Sequence, residues 1–229
     1  MKFCLNTSIV KDNDKDVVNN AVILLHGYGG DGNDISNLTL GWKRHLKNTI
    51  FLCPNAPETC QINPNGYQWF DLSSDNLLSI LEGTHKTETI INEYIDEVKI
   101  KYKLNDENIC LGGFSQGCMI SINVGLTRSK KLNSILGFSG KIIDQKDLSS
   151  RIKSKVSTLL IHGDRDQIVP PSSLLDAKDF FIRNKIEIDT QMISNCEHHI
   201  PIEASSYALN FFRYIYCYSR ARFYQFIQK

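Results

Sequence analysis

Gly113-Phe114-Ser115-Gln116-Gly117 stands directly after the apolar run 109–111 and directly before the helix-like run 118–124. A serine on such a sharp strand-to-helix turn exposes its hydroxyl, and the flanking residues are glycines because a side chain there would strike neighbouring backbone. The chemistry to expect is nucleophilic attack by Ser115. The amide of Gln116, at the start of a helix, is then aimed at the negative charge that develops on the substrate oxygen. An ordinary glycine-rich turn is the competing reading of the five residues taken alone, and the strand before and helix after argue against it.

A serine nucleophile needs a base and a carboxylate to orient that base. Two later segments offer them. His162-Gly163-Asp164-Arg165-Asp166-Gln167-Ile168-Val169-Pro170 carries two candidate acids after a strand end. Asp164, beside the turn glycine, is suited to bond its own backbone, so Asp166, anchored by Val169-Pro170, is preferred. Cys196-Glu197-His198-His199-Ile200-Pro201 supplies the imidazole, although two adjacent histidines can equally be exposed loop residues. Ser115, Asp166 and His198 thus occur in the order nucleophile, acid, base.

A third segment, Leu25-His26-Gly27-Tyr28-Gly29-Gly30-Asp31-Gly32, ends a strand in a glycine-rich loop. Gly27, Gly29 and Gly32 spell a dinucleotide-binding pattern, which requires an acidic residue about 20 positions later. Leu52-Cys53-Pro54 stands there instead. The preferred reading is a loop that donates a second backbone amide, that of Tyr28, to an oxyanion hole, with His26 bracing the loop and doing no chemistry. Neighbouring His198 and His199 point apart and lack a partner helix motif, so no metal site is expected. Cys110 and Cys118 flank the elbow but do not occupy it, and read as small core residues.

The elements that must hold these residues follow from the hydrophobic pattern. Apolar runs at 21–25, 50–52, 109–111, 135–136 and 159–161, with an alternating run at 186–193, read as strands. Helices are expected over 34–46, 88–103, 116–129, 172–184 and 202–216. In the second of these, Ile90, Ile91, Tyr94, Ile95, Val98 and Tyr102 share a face while Glu93, Asp96, Glu97 and Lys99 stay outside. Alternating strands and helices predict an α/β protein with a mostly parallel central sheet covered by helices on both faces, its site at the carboxyl ends of the strands. The proline- and asparagine-rich stretch 54–71, closing on Tyr67, Trp69 and Phe70, reads as a long loop of functional kind.

Composition removes other classes. The 229 residues suit one domain, and 26 basic against 25 acidic residues leave a net charge of +1, with no field to attract nucleic acid. Seven cysteines, an odd number without zinc-ligand spacing, fit reduced thiols in a cytoplasmic protein. The polar N-terminus lacks a signal-peptide core, and no apolar run approaches the ~20 residues of a spanning helix.

Together LLHGYGGDG (24–32), PNAP (54–57), GYQWFD (66–71), GGFSQG (112–117), HGDRDQIVP (162–170) and HHIP (198–201) resemble the phospholipase/carboxylesterase family, the acyl-protein thioesterase-like branch of the α/β-hydrolases. The resemblance implies the α/β-hydrolase fold and a serine hydrolase of carboxylic esters or thioesters that needs no cofactor. It also implies Ser115 as nucleophile, Asp166 as acid, His198 as base, the amides of Tyr28 and Gln116 as oxyanion hole, and Trp69 and Phe70 bordering the acyl site. Partners would be a small ester, a lysophospholipid or an acylated protein. Two positions depart from the family pattern: Glu197 where members carry glycine before the histidine, and Cys118 after the elbow. A fold that has lost turnover and serves as an interaction protein is the competing class.

The C-terminal stretch 207–229 carries Arg213, Arg220, Arg222 and Lys229 and no acid, a local charge of +4. Tyr207, Phe211, Tyr214, Ile215 and Tyr218 recur at helical spacing, so the start of this stretch reads as a final packed helix. Residues 218–229 read as an extension beyond it, whose aromatics and arginines could touch a membrane surface.

Overall fold

The computed structural model describes residues 3–13, 17–73 and 75–217. Among them, a seven-stranded sheet runs in the order β1-β3-β2-β6-β7-β8-β9, where β1 is Thr7–Val10, β2 Asn20–Leu25, β3 Thr49–Pro54, β6 Ile109–Phe114, β7 Ser134–Phe138, β8 Ser157–Gly163 and β9 Ile188–Ile193. Edge strand β1 pairs antiparallel with β3, and every other pairing is parallel. A short ribbon of β4 (Glu58–Thr59) and β5 (Tyr67–Gln68) stands apart within the long loop.

The helices are α1 Gly32–Trp42, α2 Leu77–Tyr102, α3 Gln116–Thr127, α4 Gln145–Arg151, α5 Ser172–Arg183 and α6 Ile202–Cys217. Strand residues alternate between two cores. Ala21, Ile23 and Leu25 join Ile91 and Ile95 of α2 and Phe180 and Phe181 of α5, while Val22 and Leu24 join Trp42 of α1 and Ala208 and Phe212 of α6. Each fully buried aliphatic side chain contributes about 1.5–3 kcal/mol, so a one-residue slip that exchanged the faces of β2 would misplace five of them at once. The strand order reverses between β2 and β6: β2 leads outward to β3, and β6 leads the other way to β7. Open parallel sheets bind ligands at such a crevice, and the loops after β2 and β6 carry the two glycine-rich segments.

Three elements escaped the hydrophobic pattern. Edge strand β1 has no fully buried residue, α4 buries only Leu148, and the first turns of α2 bury Thr84, Thr87 and Glu88 rather than apolar residues. Asn76 caps α2 by accepting from the amides of Leu78 and Ser79 at 3.0 and 3.3 Å.

Cys118 fits after the elbow because Gly137 and Gly140 leave it room: a Cβ on either would lie 2.3 or 2.4 Å from its Sγ. Burial pushes the Cys118 and Cys110 thiols up to about 12, so neither is a nucleophile at neutral pH. Residues 218–229, the expected extension, lie outside the described residues. Among the described residues no helix is long and apolar enough to cross a membrane.

Polar ties hold α2 to α3. Arg128 donates from Nε to Asp106 and from Nη2 to Asp96, each at 2.6 Å, and Lys99 reaches Asp106 at 2.7 Å. Burial raises the Asp106 pKa, but the bonds from Lys99 and Arg128 outweigh it and hold the carboxyl below its ordinary range. Such a depressed acid contributes stability above the unfolded carboxylate value of ~3.9 and loses it as pH falls through the folded one. Arg128→Met should therefore cost about 3 kcal/mol in urea unfolding at neutral pH, because it takes one of two cationic partners from the buried Asp106 carboxylate, and the deficit should shrink in acid.

Candidate active site

Ser115 joins β6 to α3 at φ 52° and ψ −115°, a left-handed conformation that a serine adopts only when its surroundings enforce it. Its amide donates to the Phe138 carbonyl on β7 at 2.8 Å, and its carbonyl accepts from Met119. The turn is tight enough that a Cβ on Gly117 would lie 2.1 Å from the Leu25 carbonyl oxygen, so only glycine admits β2 this close. Ser115 itself is buried, with 8% of its surface exposed.

His198 Nε2 lies 3.0 Å from Ser115 Oγ, and His198 Nδ1 lies 2.7 Å from Asp166 Oδ2. The Asp166 side chain is fully buried. Its Oδ1 accepts from the amides of Ile168 and Val169, both at 2.9 Å. Burial raises its pKa, yet the hydrogen bond from His198 and those amides prevail and hold it below the ordinary carboxylate value. A carboxylate that stays ionised fixes the proton of His198 on Nδ1 and leaves Nε2 as an acceptor facing the serine hydroxyl. Chemically, the arrangement can withdraw a proton from Ser115 and return it to a leaving group.

The acid and base loops are strapped together. The Cys196 amide donates to Asp164 Oδ1 at 3.2 Å, and the Arg165 amide donates to the Cys196 carbonyl at 2.9 Å. Asp164 thus bonds the base loop rather than the imidazole. The buried Cys196 thiol lies 3.4 and 3.8 Å from the carbonyls of Glu197 and His199, tightening the turn that carries His198. His199 and Glu197 are exposed.

His162 does more than the sequence reading assigned to it. It is buried, its Nε2 donates to the Val169 carbonyl at 2.9 Å, and the same nitrogen lies 3.4 Å from Asp166 Oδ2. It braces the acid loop from beneath. A signal existed in the sequence: His162-Gly163 repeats the His26-Gly27 pattern at the end of another strand.

His26 is likewise buried. Ala56 donates its amide to His26 Nε2 at 3.0 Å, so that nitrogen is unprotonated and the proton sits on Nδ1, which donates to the Gly27 carbonyl at 2.7 Å. Burial lowers the pKa of His26 and keeps it in this neutral form. The Tyr28 hydroxyl is tied to the buried Cys60 thiol, and burial with that bond pushes it up to about 12. The amides of Gly32 and Asp34 at the head of α1 are taken by Asn55 and Asp31 at 2.8 Å each. An anionic cap on occupied amides is the wrong chemistry for a pyrophosphate.

A cavity of about 470 Å³ opens between the 27–31 loop, α1 and the base loop. Tyr28, Ile35, Leu38, Phe114, His198 and Ile200 are among its lining, with Asp31 and Asp34 on the α1 side. Trp69 and Phe70, expected at the acyl site, are both 1% exposed and lie outside that lining. Their aromatic cluster was legible; their burial behind the 27–31 loop was not, because a loop pattern carries no information on which side it is covered. Among the described residues no three His, Cys, Asp or Glu side chains group as a metal site.

The parallel sheet with its reversal of strand order, the sharp turn at Ser115 after β6, and Asp166 and His198 on the loops after β8 and β9 define an α/β-hydrolase fold. The phospholipase/carboxylesterase family profile matches residues 6–216, and the chain belongs to that family. It is 33% identical over 175 residues to acyl-protein thioesterase 1 of Schizosaccharomyces pombe, covering 73% of this chain and 77% of that protein. The protein of the same name in Kluyveromyces lactis is also 33% identical over 175 residues, with 71% and 76% covered. Among solved structures, esterase PE8 superposes with a TM-score of 0.87 at 33% identity, over 92% of this chain and 99% of that one.

Asp166→Asn should lower turnover of an ester by about 10³- to 10⁴-fold, since an amide favours the wrong imidazole tautomer, whereas Asp164→Asn should cost little. Steady-state rates on the two purified variants rank them, and the reverse order would transfer the orienting role to Asp164.

Proposed function

We propose that this protein hydrolyses carboxylic esters or thioesters through an acyl-enzyme on Ser115. The observation that carries the reading is the unbroken chain Asp166 Oδ2, His198 Nδ1 and Nε2, Ser115 Oγ, with steps of 2.7 and 3.0 Å. His198 takes the hydroxyl proton as Ser115 attacks the acyl carbon, and the positive imidazolium is stabilised by Asp166. The tetrahedral oxyanion is met by the amides of Gln116 and Tyr28. Gln116 opens α3, where an amide has no acceptor within the helix, and the next two amides after Tyr28 are already committed, Gly29 to Tyr67 and Gly30 to Gly27. His198 then protonates the leaving oxygen or sulfur, and water enters by the same route in reverse to release the acid.

Ile35, Leu38, Phe114 and Ile200 give the adjoining cavity an apolar wall suited to an acyl chain. The names of the similar proteins, acyl-protein thioesterase and esterase, support an acylated protein or a small ester as substrate, and a lysophospholipid would present the same kind of acyl chain to that wall. No step requires a metal or organic cofactor.

Ser115→Ala should abolish hydrolysis of a nitrophenyl ester, with a loss of about 10⁴-fold or more, and abolish labelling by a fluorophosphonate probe while the melting temperature stays near that of the parent. A labelled and active Ser115→Ala protein ends this reading, and an unlabelled parent protein returns the chain to the inactive-fold class. Protonation of Asp166 should not contribute to the pH–rate profile until the pH is below the ordinary carboxylate range, because the carboxyl is held below its ordinary value, and a steady-state profile on the nitrophenyl ester checks this.

A further inference from the structure

Residues 67–70 touch both halves of the proposed oxyanion hole. On one side, Tyr67 pairs with the 27–31 loop: its carbonyl accepts from the Gly29 amide and its amide donates to the Gly30 carbonyl, both at 2.9 Å. The contact is so close that a Cβ on Gly66 would lie 2.0 Å from the Gly29 carbonyl oxygen. Trp69 adds a side-chain bond, Nε1 donating to the His26 carbonyl at 2.9 Å, with its ring 5.1 Å from the His26 ring.

On the other side, the segment is clamped by the elbow. The Trp69 amide donates to Gln116 Oε1 at 2.9 Å, and Gln116 Nε2 donates to the Phe70 carbonyl at 2.7 Å. Gln116, fully buried, therefore reads the 69–70 backbone with both ends of its amide, as a neighbouring strand would. Behind it, the Thr87 hydroxyl of α2 donates to the Trp69 carbonyl.

We infer that Trp69 is a positioning residue for the oxyanion hole: together with the Gln116 side chain it splints the loop that carries the Tyr28 amide to the turn that carries the Gln116 amide. The inference rests on the serine-hydrolase reading above and deepens it. The two donors come from loops after different strands, and a stabilising pair works only if its spacing is held when charge develops. Trp69 is the residue bonded to both loops, through its indole to His26 and through its amide to Gln116. With only 1% of its surface exposed, it acts through the donors and not by touching substrate.

The test is a comparison of Trp69→Phe and Gln116→Met with the parent protein on a nitrophenyl ester, with Ser115→Ala as the control. Trp69→Phe keeps an aromatic ring and removes the indole N–H. Gln116→Met keeps the backbone amide and the length of the side chain, and removes both of its polar ends. Each variant should lose about ten- to a hundredfold in kcat with KM within about twofold. Each should also bind a trifluoromethyl ketone, which presents an anionic oxygen once Ser115 adds to it, more weakly by the factor lost in kcat/KM, while binding the product acid equally well. The double variant should lose less than the product of the two single losses, because both act on one splint. Unchanged kcat in Gln116→Met, the variant that spares the aromatic packing, overturns the splint. So does a raised KM at constant kcat in Trp69→Phe, which would make Trp69 a wall of the acyl site. Turnover that survives Ser115→Ala overturns the hydrolase reading, and the splint with it.

Discussion

A fully buried carboxylate is the constraint around which this site is organised. Asp166 is taken out of water, which disfavours its charged form, and only a complete set of donors can keep it ionised. The set is there: two amides of its own loop on Oδ1, the imidazole of His198 on Oδ2 and His162 beyond. Each donor fixes a piece of chain. The amides close the turn 166–169, His162 holds the Val169 carbonyl from the core side, and His198 must come to Asp166 with the rest of its loop. Asp164 and Arg165 then fasten that loop at Cys196. Removing the central charge would leave several donors pointing at nothing, which is why the acid, more than the serine, governs the geometry.

The serine is positioned by a different force, backbone crowding. Ser115 holds a positive φ because β2, β6 and the head of α3 pack closer than any Cβ would allow, and its amide is committed to β7. The strain is sustained by the most buried part of the sheet, where every residue from Ala21 to Leu25 is without solvent contact. Ser115 is thus placed by the packing of the sheet, whereas Asp166 and His198 are placed by hydrogen bonds between loops.

Two histidines at strand ends, His26 and His162, are used structurally to anchor loops beside the site. His26 is forced to be neutral with its proton on Nδ1, because the Ala56 amide occupies Nε2. His162 donates to a carbonyl. Burial lowers the pKa of both. Neither can exchange protons without breaking a loop anchor.

The residue order alone determined much of this protein. A continuous apolar run can only be a buried strand or a buried helix, and glycines after it permit only a few turns, so the parallel sheet, the elbow at Ser115 and the sequence positions of Asp166 and His198 were legible in the primary structure. Polar elements were not: β1, α4 and the first turns of α2 lack an apolar period because they lie at an edge or bury threonines and an ion-paired glutamate. Distances between loops were beyond it as well. That Asp166 comes within 2.7 Å of His198 while Asp164 straps Cys196, and that Trp69 and Phe70 back the 27–31 loop instead of lining the cavity, depend on how segments distant in sequence pack. Contacts of that kind leave no periodicity, since local spacing records which face a residue turns to its own element and never which other element arrives there.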